Sequence, residues 1–127
     1  MTETTTPGPG SRRQALGAYG ERLAAEHLVA AGMVLLDRNW RCDEGELDLV
    51  LRDGRALVGC EVKTRTSFSH GSPHEAVTDA KLARLQRLVL RWIEAHEVRP
   101  PDVRIDLVAV LRPDRGRALV EHVRGIG

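Results

Sequence analysis

A chain of 127 residues is about one ordinary domain, long enough to bury a single core and too short for two independent ones. Its 42% hydrophobic and 29% charged residues exclude a disordered or collagen-like chain, and no apolar run approaches the roughly 20 residues of a membrane span. Nineteen basic against eighteen acidic residues leave a net charge of +1, which excludes a uniformly basic nucleic-acid binder and leaves the distribution of charge to decide. Seventeen of the cations are arginines, and only Lys63 and Lys81 are lysines.

Residues 1–10, MTETTTPGPG, have nothing to bury and read as a disordered tail ahead of one domain over 11–127. They carry no apolar stretch of the signal-peptide kind, so the expected address is cytoplasmic, where Cys42 and Cys60 would stay reduced as packing residues. From Ser11 to Ala31, apolar residues including Leu16, Leu23, Ala24 and Leu28 fall at helical spacing, and Gly32 supplies a stop. Val34–Asn39 reads as a short strand and 41–45 as a loop. Glu46–Arg52 and Ala56–Lys63 then read as a hairpin about an Asp53-Gly54 turn.

The polar stretch Thr64–Val77, with Gly71 and Pro73, reads as a loop. A second helix is predicted from an N-cap at Thr78 to about His96, with Leu85, Leu88, Val89, Trp92 and Ile93 on one face. Pro100-Pro101 ends it, and Val103–Leu111 and Ala118–Val123 read as two further strands. The fold class is therefore α/β, a single mixed five-stranded sheet flanked by two main helices.

The hairpin carries the sequence's chemistry. With Asp53-Gly54 as the turn, Asp48 lies opposite Gly59 and Glu46 opposite Glu61, with Lys63 two residues further on the same side. Leu47, Leu49, Leu51, Val58, Cys60 and Val62 fill the other face as a continuous apolar set. Like charges facing each other across a strand pair repel, and a divalent cation would remove that cost. Magnesium or manganese suits carboxylates, water and a substrate phosphate, whereas zinc would want the Cys or His ligands this face lacks. An ammonium beside such a site orients water or meets charge developing on a phosphoryl group, and Gly59 would leave room for a substrate backbone. The bland alternative is an exposed Glu61–Lys63 pair worth under about 1 kcal/mol, with Glu46 and Asp48 facing water.

An acid on one strand followed by E-x-K on the next resembles the PD-(D/E)XK superfamily of restriction-endonuclease-like nucleases. The whole run is similar to the bacterial YraN family of uncharacterised, predicted nucleases. The matching residues are Gly17, Gly20, Glu21 and Ala24, then Arg38-Asn39, GELDLV from Gly45, EVKTR from Glu61, GSPHEAV from Gly71, Lys81, and RIDLVAV from Arg104. The resemblance spans about Gln14 to Val123. It implies a restriction-endonuclease-like fold and a magnesium or manganese site on Asp48, Glu61 and the Val62 backbone carbonyl. Lys63 is then the catalytic lysine, and Glu21 supports the metal; Glu46, from its place on the hairpin's acidic face, is a further candidate for the metal shell. A first-helix glutamate also completes the acidic site of archaeal junction-resolving nucleases of this fold; read without the resemblance, Glu21 is equally a solvated helix residue.

Lys81, Arg84, Arg87 and Arg91 fall within about a third of the second helix's circumference and, with Arg65, are the expected nucleic-acid contacts; a solvated helix face is the alternative. His70, His74 and Glu75 sit in the Gly/Pro loop without an evident fourth ligand, so no zinc site is expected there. Arg104 and Asp106 share a strand face, for which a structural pairing is expected. Four aromatic residues, Tyr19, Trp40, Phe68 and Trp92, are too scattered for a base-stacking platform.

The expected function is a metal-dependent endonuclease acting on DNA, branched DNA included, and working as a homodimer if it resolves junctions. The rival expectation is a non-catalytic nucleic-acid or protein-binding module on the same fold, and a third is an RNA-directed nuclease.

Overall fold

The computed structural model describes residues 9–67 and 77–127. The chain runs α1 (Pro9–Ala30), β1 (Val34–Cys42), β2 (Gly45–Asp53), β3 (Ala56–Arg65), α2 (Asp79–His96), β4 (Asp102–Leu111) and β5 (Leu119–Val123). Helix α1 thus begins two residues before its predicted start. The tail 1–8 and the loop residues His70, His74 and Glu75 lie outside the described residues.

The five strands form one sheet in the order β1-β2-β3-β4-β5. β1, β2 and β3 pair antiparallel, β3 and β4 parallel, and β4 and β5 antiparallel. The parallel pair requires a crossover, and α2 is that crossover. Two apolar clusters show how the helices sandwich the sheet. Ala24, Ala25 and Leu28 of α1 pack with Leu49, Leu51, Val58, Cys60, Val108 and Val110. Leu85, Leu88, Val89 and Trp92 of α2 pack with Leu47, Val50, Leu57 and Ile105. The predicted α/β fold, one mixed sheet between two helices, is the fold observed.

The ends of α2 follow their side chains. Thr78 caps the start, its hydroxyl accepting from the Lys81 N–H at 3.1 Å, and Glu97 closes the end in the left-handed region at φ 52°.

The hairpin departs from expectation in register. Asp53 pairs with Ala56 and Leu49 with Cys60, so Gly54-Arg55 is the turn and every partner lies two residues away from its predicted place. Two features favour this turn. Gly54 takes φ 60°, costly for a residue with a Cβ, while the Asp53 carboxylate is held at the strand end by Arg104 at 2.9 Å and Arg124 at 3.7 Å.

Two expectations fall with the old register. Gly59 is opposite Val50 rather than Asp48, and it is no opening for substrate: a Cβ there would collide with Val89 Cγ2 of α2. Nor is one face of the hairpin wholly apolar and the other acidic. Leu47 joins the α2 cluster whereas Leu49 joins the α1 cluster, so the strand's alternation breaks at Asp48 and both faces are covered between Leu49 and Cys60.

Candidate metal centre

The break at Asp48 builds the site. The β2–β3 ladder gives out beyond Leu49 and Cys60, and the same register carried one step further sets Asp48 against Glu61. The Asp48 carboxylate takes over the lost pairing, accepting from the Val62 N–H at 2.8 Å. Of Val62, then, it is the amide that touches Asp48; the carbonyl was the atom expected to face a metal.

Helix α1 brings Glu21 to the same point. A Cβ on the preceding residue, the buried Gly20, would strike Thr64 Oγ1 of β3, so only glycine lets helix and strand approach this closely. Glu46 comes from the start of β2, where Arg41 Nε reaches its Oε2 at 3.1 Å. Ligand oxygens of Glu21, Glu46 and Asp48 all lie within 4.8 Å of one another, the acidic set able to share one ion among the described residues.

Asn39 of β1 ties this set together. With its amide nitrogen turned toward the carboxylates it donates to Glu21 Oε1 at 3.0 Å and to Glu46 Oε1 at 2.9 Å. Its backbone sits at φ 53°, a conformation asparagine tolerates better than most side chains. In the sequence Asn39 ends a predicted strand and belongs to the Arg38-Asn39 pair of the YraN resemblance, neither of which gave it a place at the site; its membership of that motif was the available signal.

Glu61 lies on β3 with its side chain 14% exposed. Its Oε1 meets Lys81 Nζ of α2 at 3.3 Å and Lys63 Nζ at 4.0 Å, while its Oε2 is buried without a hydrogen-bond partner among the described residues. The two lysines of the chain thus converge on one carboxylate, and Lys81, expected on an outward basic stripe, belongs to the acidic centre instead.

The electrostatics are those of uncompensated negative charge. Burial, together with the Glu61, Glu21 and Glu46 carboxylates, pushes Asp48 up to about 7 despite the Val62 hydrogen bond. Burial and the nearby Glu46 likewise raise Glu21. Lys63 is lowered from the ordinary lysine value by the Lys81 amine against it and by partial burial. A cation among the Glu21, Glu46 and Asp48 oxygens would reverse the carboxylate shifts; Glu61, expected to share the ion with Asp48, is not one of the three whose oxygens lie within 4.8 Å of one another. An all-oxygen donor set with room for water suits magnesium or manganese and not zinc. An open cleft of about 330 Å³, bordered by Arg13, Gly17, Glu21, Asp48, Glu61 and Lys63, gives access to it.

The basic stripe is largely spoken for. Arg87 pairs with Glu44 at 3.3 Å, and Arg91 with Asp43 at 2.8 Å and Glu44 at 3.4 Å. Arg84 makes no ion pair among the described residues, and Arg65 closes β3, its carbonyl accepting from the Arg112 N–H at 2.8 Å. Arg104 and Asp106 pair as expected at 2.8 Å, apart from the acidic centre. Asp106 is fully buried and also takes His122 Nε2 at 2.7 Å and the Gly125 N–H at 3.0 Å.

No helix among the described residues is long and apolar enough to cross a membrane. The profile of the uncharacterised protein family UPF0102 matches residues 20–110. A UPF0102 protein of Nocardioides sp. is 63% identical over 123 residues, covering 97% of this chain and 99% of the relative. Another from Beutenbergia cavernae is 57% identical over 115 residues, 91% of this chain and 98% of the relative. One from Streptomyces coelicolor is 56% identical over 116 residues, 90% of this chain and 89% of the relative. The matched span contains Gly20, Glu21, Asn39, Glu46, Asp48, Glu61, Lys63 and Lys81, and the chain belongs to uncharacterised protein family UPF0102, the YraN family that its motifs resemble.

Proposed function

We propose that this chain is a metal-dependent nuclease that hydrolyses phosphodiester bonds in DNA, branched DNA included. The observation that carries the reading is the convergence of Glu21, Glu46 and Asp48 from α1 and β2 beside a half-buried Glu61, one of whose oxygens has no hydrogen-bond partner among the described residues, and a lysine two residues on. Nothing in the packing of a purely structural sheet calls for such a set, which raises its own carboxylate pKa values.

Asp48 and Glu61 would hold magnesium or manganese, with Glu21, Glu46 and the Val62 carbonyl completing the oxygen shell. When bound, the ion supplies charge neutralisation and Lewis-acid activation of water and phosphate. The chain's own groups do the rest. Asn39 fixes the Glu21 and Glu46 oxygens, and Lys63 offers its ammonium to charge developing on the phosphoryl oxygens. Lys81 holds Glu61 in one rotamer. Arg84, with Arg65, is the cation left to meet the DNA backbone; Arg87 and Arg91 would have to exchange Glu44 and Asp43 for phosphates. Two symmetric cuts in a junction need two sites, so a homodimer goes with the branched-DNA reading.

The test is cleavage of duplex, single-stranded and four-way DNA by purified protein with magnesium or manganese against chelator. Glu61→Ala and Lys63→Ala should each remove cleavage by about a hundredfold or more while leaving the circular dichroism melt in place. Equal behaviour of wild type and both variants on every substrate sinks the nuclease reading.

One observation favours a second reading, a binding module without turnover: Lys81 already neutralises part of Glu61. In that case DNA binding persists in Glu61→Ala, falls steeply with salt and never leads to cleavage.

A further inference from the structure

At the far end of the hairpin from the acidic centre, beginning at Arg52, four residues and about 13 Å along β2 from Asp48 by strand rise, lies a second cavity of about 350 Å³. Its walls are apolar: Leu57 and Trp92 at the base, with Leu36, Val98 and Pro100-Pro101 above. Leu36 is there because the β1–β2 register slips between Leu35 and Asp37, a bulge that turns an exposed leucine out of the ladder. Val98 is there because Glu97 ends α2 in the left-handed region and folds the chain back. Leu36 and Val98 remain 43% and 40% exposed, apolar surface left to solvent beside a concave wall.

The rim has one sign of charge. Arg52, Arg55 and Arg99 border the cavity, and among the described residues no acidic one does. None of the three makes an ion pair among the described residues, whereas Arg104 and Arg124 close by are held by Asp53. We propose that this cleft docks an acidic peptide segment carrying a bulky apolar side chain, as a partner-recruitment site separate from the acidic centre. The apolar side chain fills the pocket over Trp92 and Leu57, and carboxylates on either side meet the arginines, whose planar forks suit them. β1 is an edge strand, so an extended segment also finds unpaired backbone groups beside Leu36. Apolar walls favour a side chain over a sugar-phosphate backbone, which would leave Leu36 and Val98 wet.

The test is selection of short random peptides displayed on phage by the full chain, with an Arg52→Glu/Arg99→Glu variant as the counter-selection. The expected peptides carry acidic residues flanking one bulky apolar residue. Their synthetic copies should lose about tenfold in affinity to that variant and to Leu36→Asp, and weaken as salt rises. Thermal melts of both variants matching wild type keep the loss attributable to the cleft. Peptides without acids, or none held better by wild type than by the double variant, overturn the proposal. So does a labelled single-stranded oligonucleotide whose binding alone falls in these variants, which would give the cleft to nucleic acid. A dimer dissociated by Leu36→Asp overturns it in favour of a second copy of this chain.

Discussion

The Val62 N–H donates to Asp48 Oδ2 at 2.8 Å at the point where the β2–β3 ladder ends. One side chain therefore does the work of a strand's backbone carbonyl, and its charge is drawn between the two strands rather than into water. Burial there raises the carboxylate against the pull of this hydrogen bond, and acids from α1, β2 and β3 border a single cleft.

The proton on Asp48 gives a pH test. Its value in the fold, about 7, lies above the ordinary 3.8, so the folded state binds the proton more tightly and the stability from this group is complete below about pH 4 and lost as pH rises through about 7. In chelator, the melting temperature of wild type should fall between pH 5 and 8. Asp48→Asn, which keeps an oxygen for the Val62 N–H, should flatten that fall and be the more stable protein at pH 8. Parallel pH profiles for the two proteins would remove the raised carboxylate from the account.

Asp106 has the opposite sign. Burial raises it, but Arg104, the Gly125 N–H and His122 outweigh burial and hold it below the ordinary 3.8. Its contribution is present above that value and lost as pH falls through the lower one. Asp106→Asn should cost about 2–4 kcal/mol at neutral pH in urea unfolding, because it leaves Arg104 and His122 facing a neutral amide. The cost should shrink in acid.

Gly59 is a packing glycine. Gly59→Ala drives a methyl into Val89, a stiff β-branched side chain, and should destabilise by about 1–3 kcal/mol. Val89→Ala in the same chain should recover part of that loss, measured as non-additivity in a double-mutant cycle. A neutral Gly59→Ala would mean that α2 sits further from the sheet.

Lys81 places a positive charge 3.3 Å from a carboxylate expected to bind metal. Lys81→Met should tighten manganese binding severalfold in calorimetry, by removing a competing cation, and slow cleavage, by freeing the Glu61 rotamer. Unchanged manganese affinity would place Lys81 outside the metal's field.

Much of this was readable from the sequence, because helices and strands here follow their periodicity. The α2 face Leu85, Leu88, Val89, Trp92 and the Thr78 cap are local signals, and both appear as written. The acids and lysine of the centre, Asp48, Glu61 and Lys63, were legible as residue types at strand spacing. Their geometry was not. Asp-Gly and Gly-Arg both make two-residue turns, and the choice between them rests on Arg104 and Arg124, distant in sequence, holding Asp53. The flip between Leu47 and Leu49 depends on a hydrogen bond to Val62, and the Lys81–Glu61 contact depends on where α2 lies over the sheet. Such tertiary contacts leave no local periodicity to read.

The central claim is that these carboxylates hold a metal for phosphodiester cleavage, and single-turnover cleavage of a labelled four-way DNA junction measures it most directly. With manganese, wild type should cut the junction, Glu61→Gln should bind it and not cut, and chelator should stop wild type. Cleavage by Glu61→Gln at the wild-type rate, or no cleavage of any DNA by wild type with either metal, would contradict it.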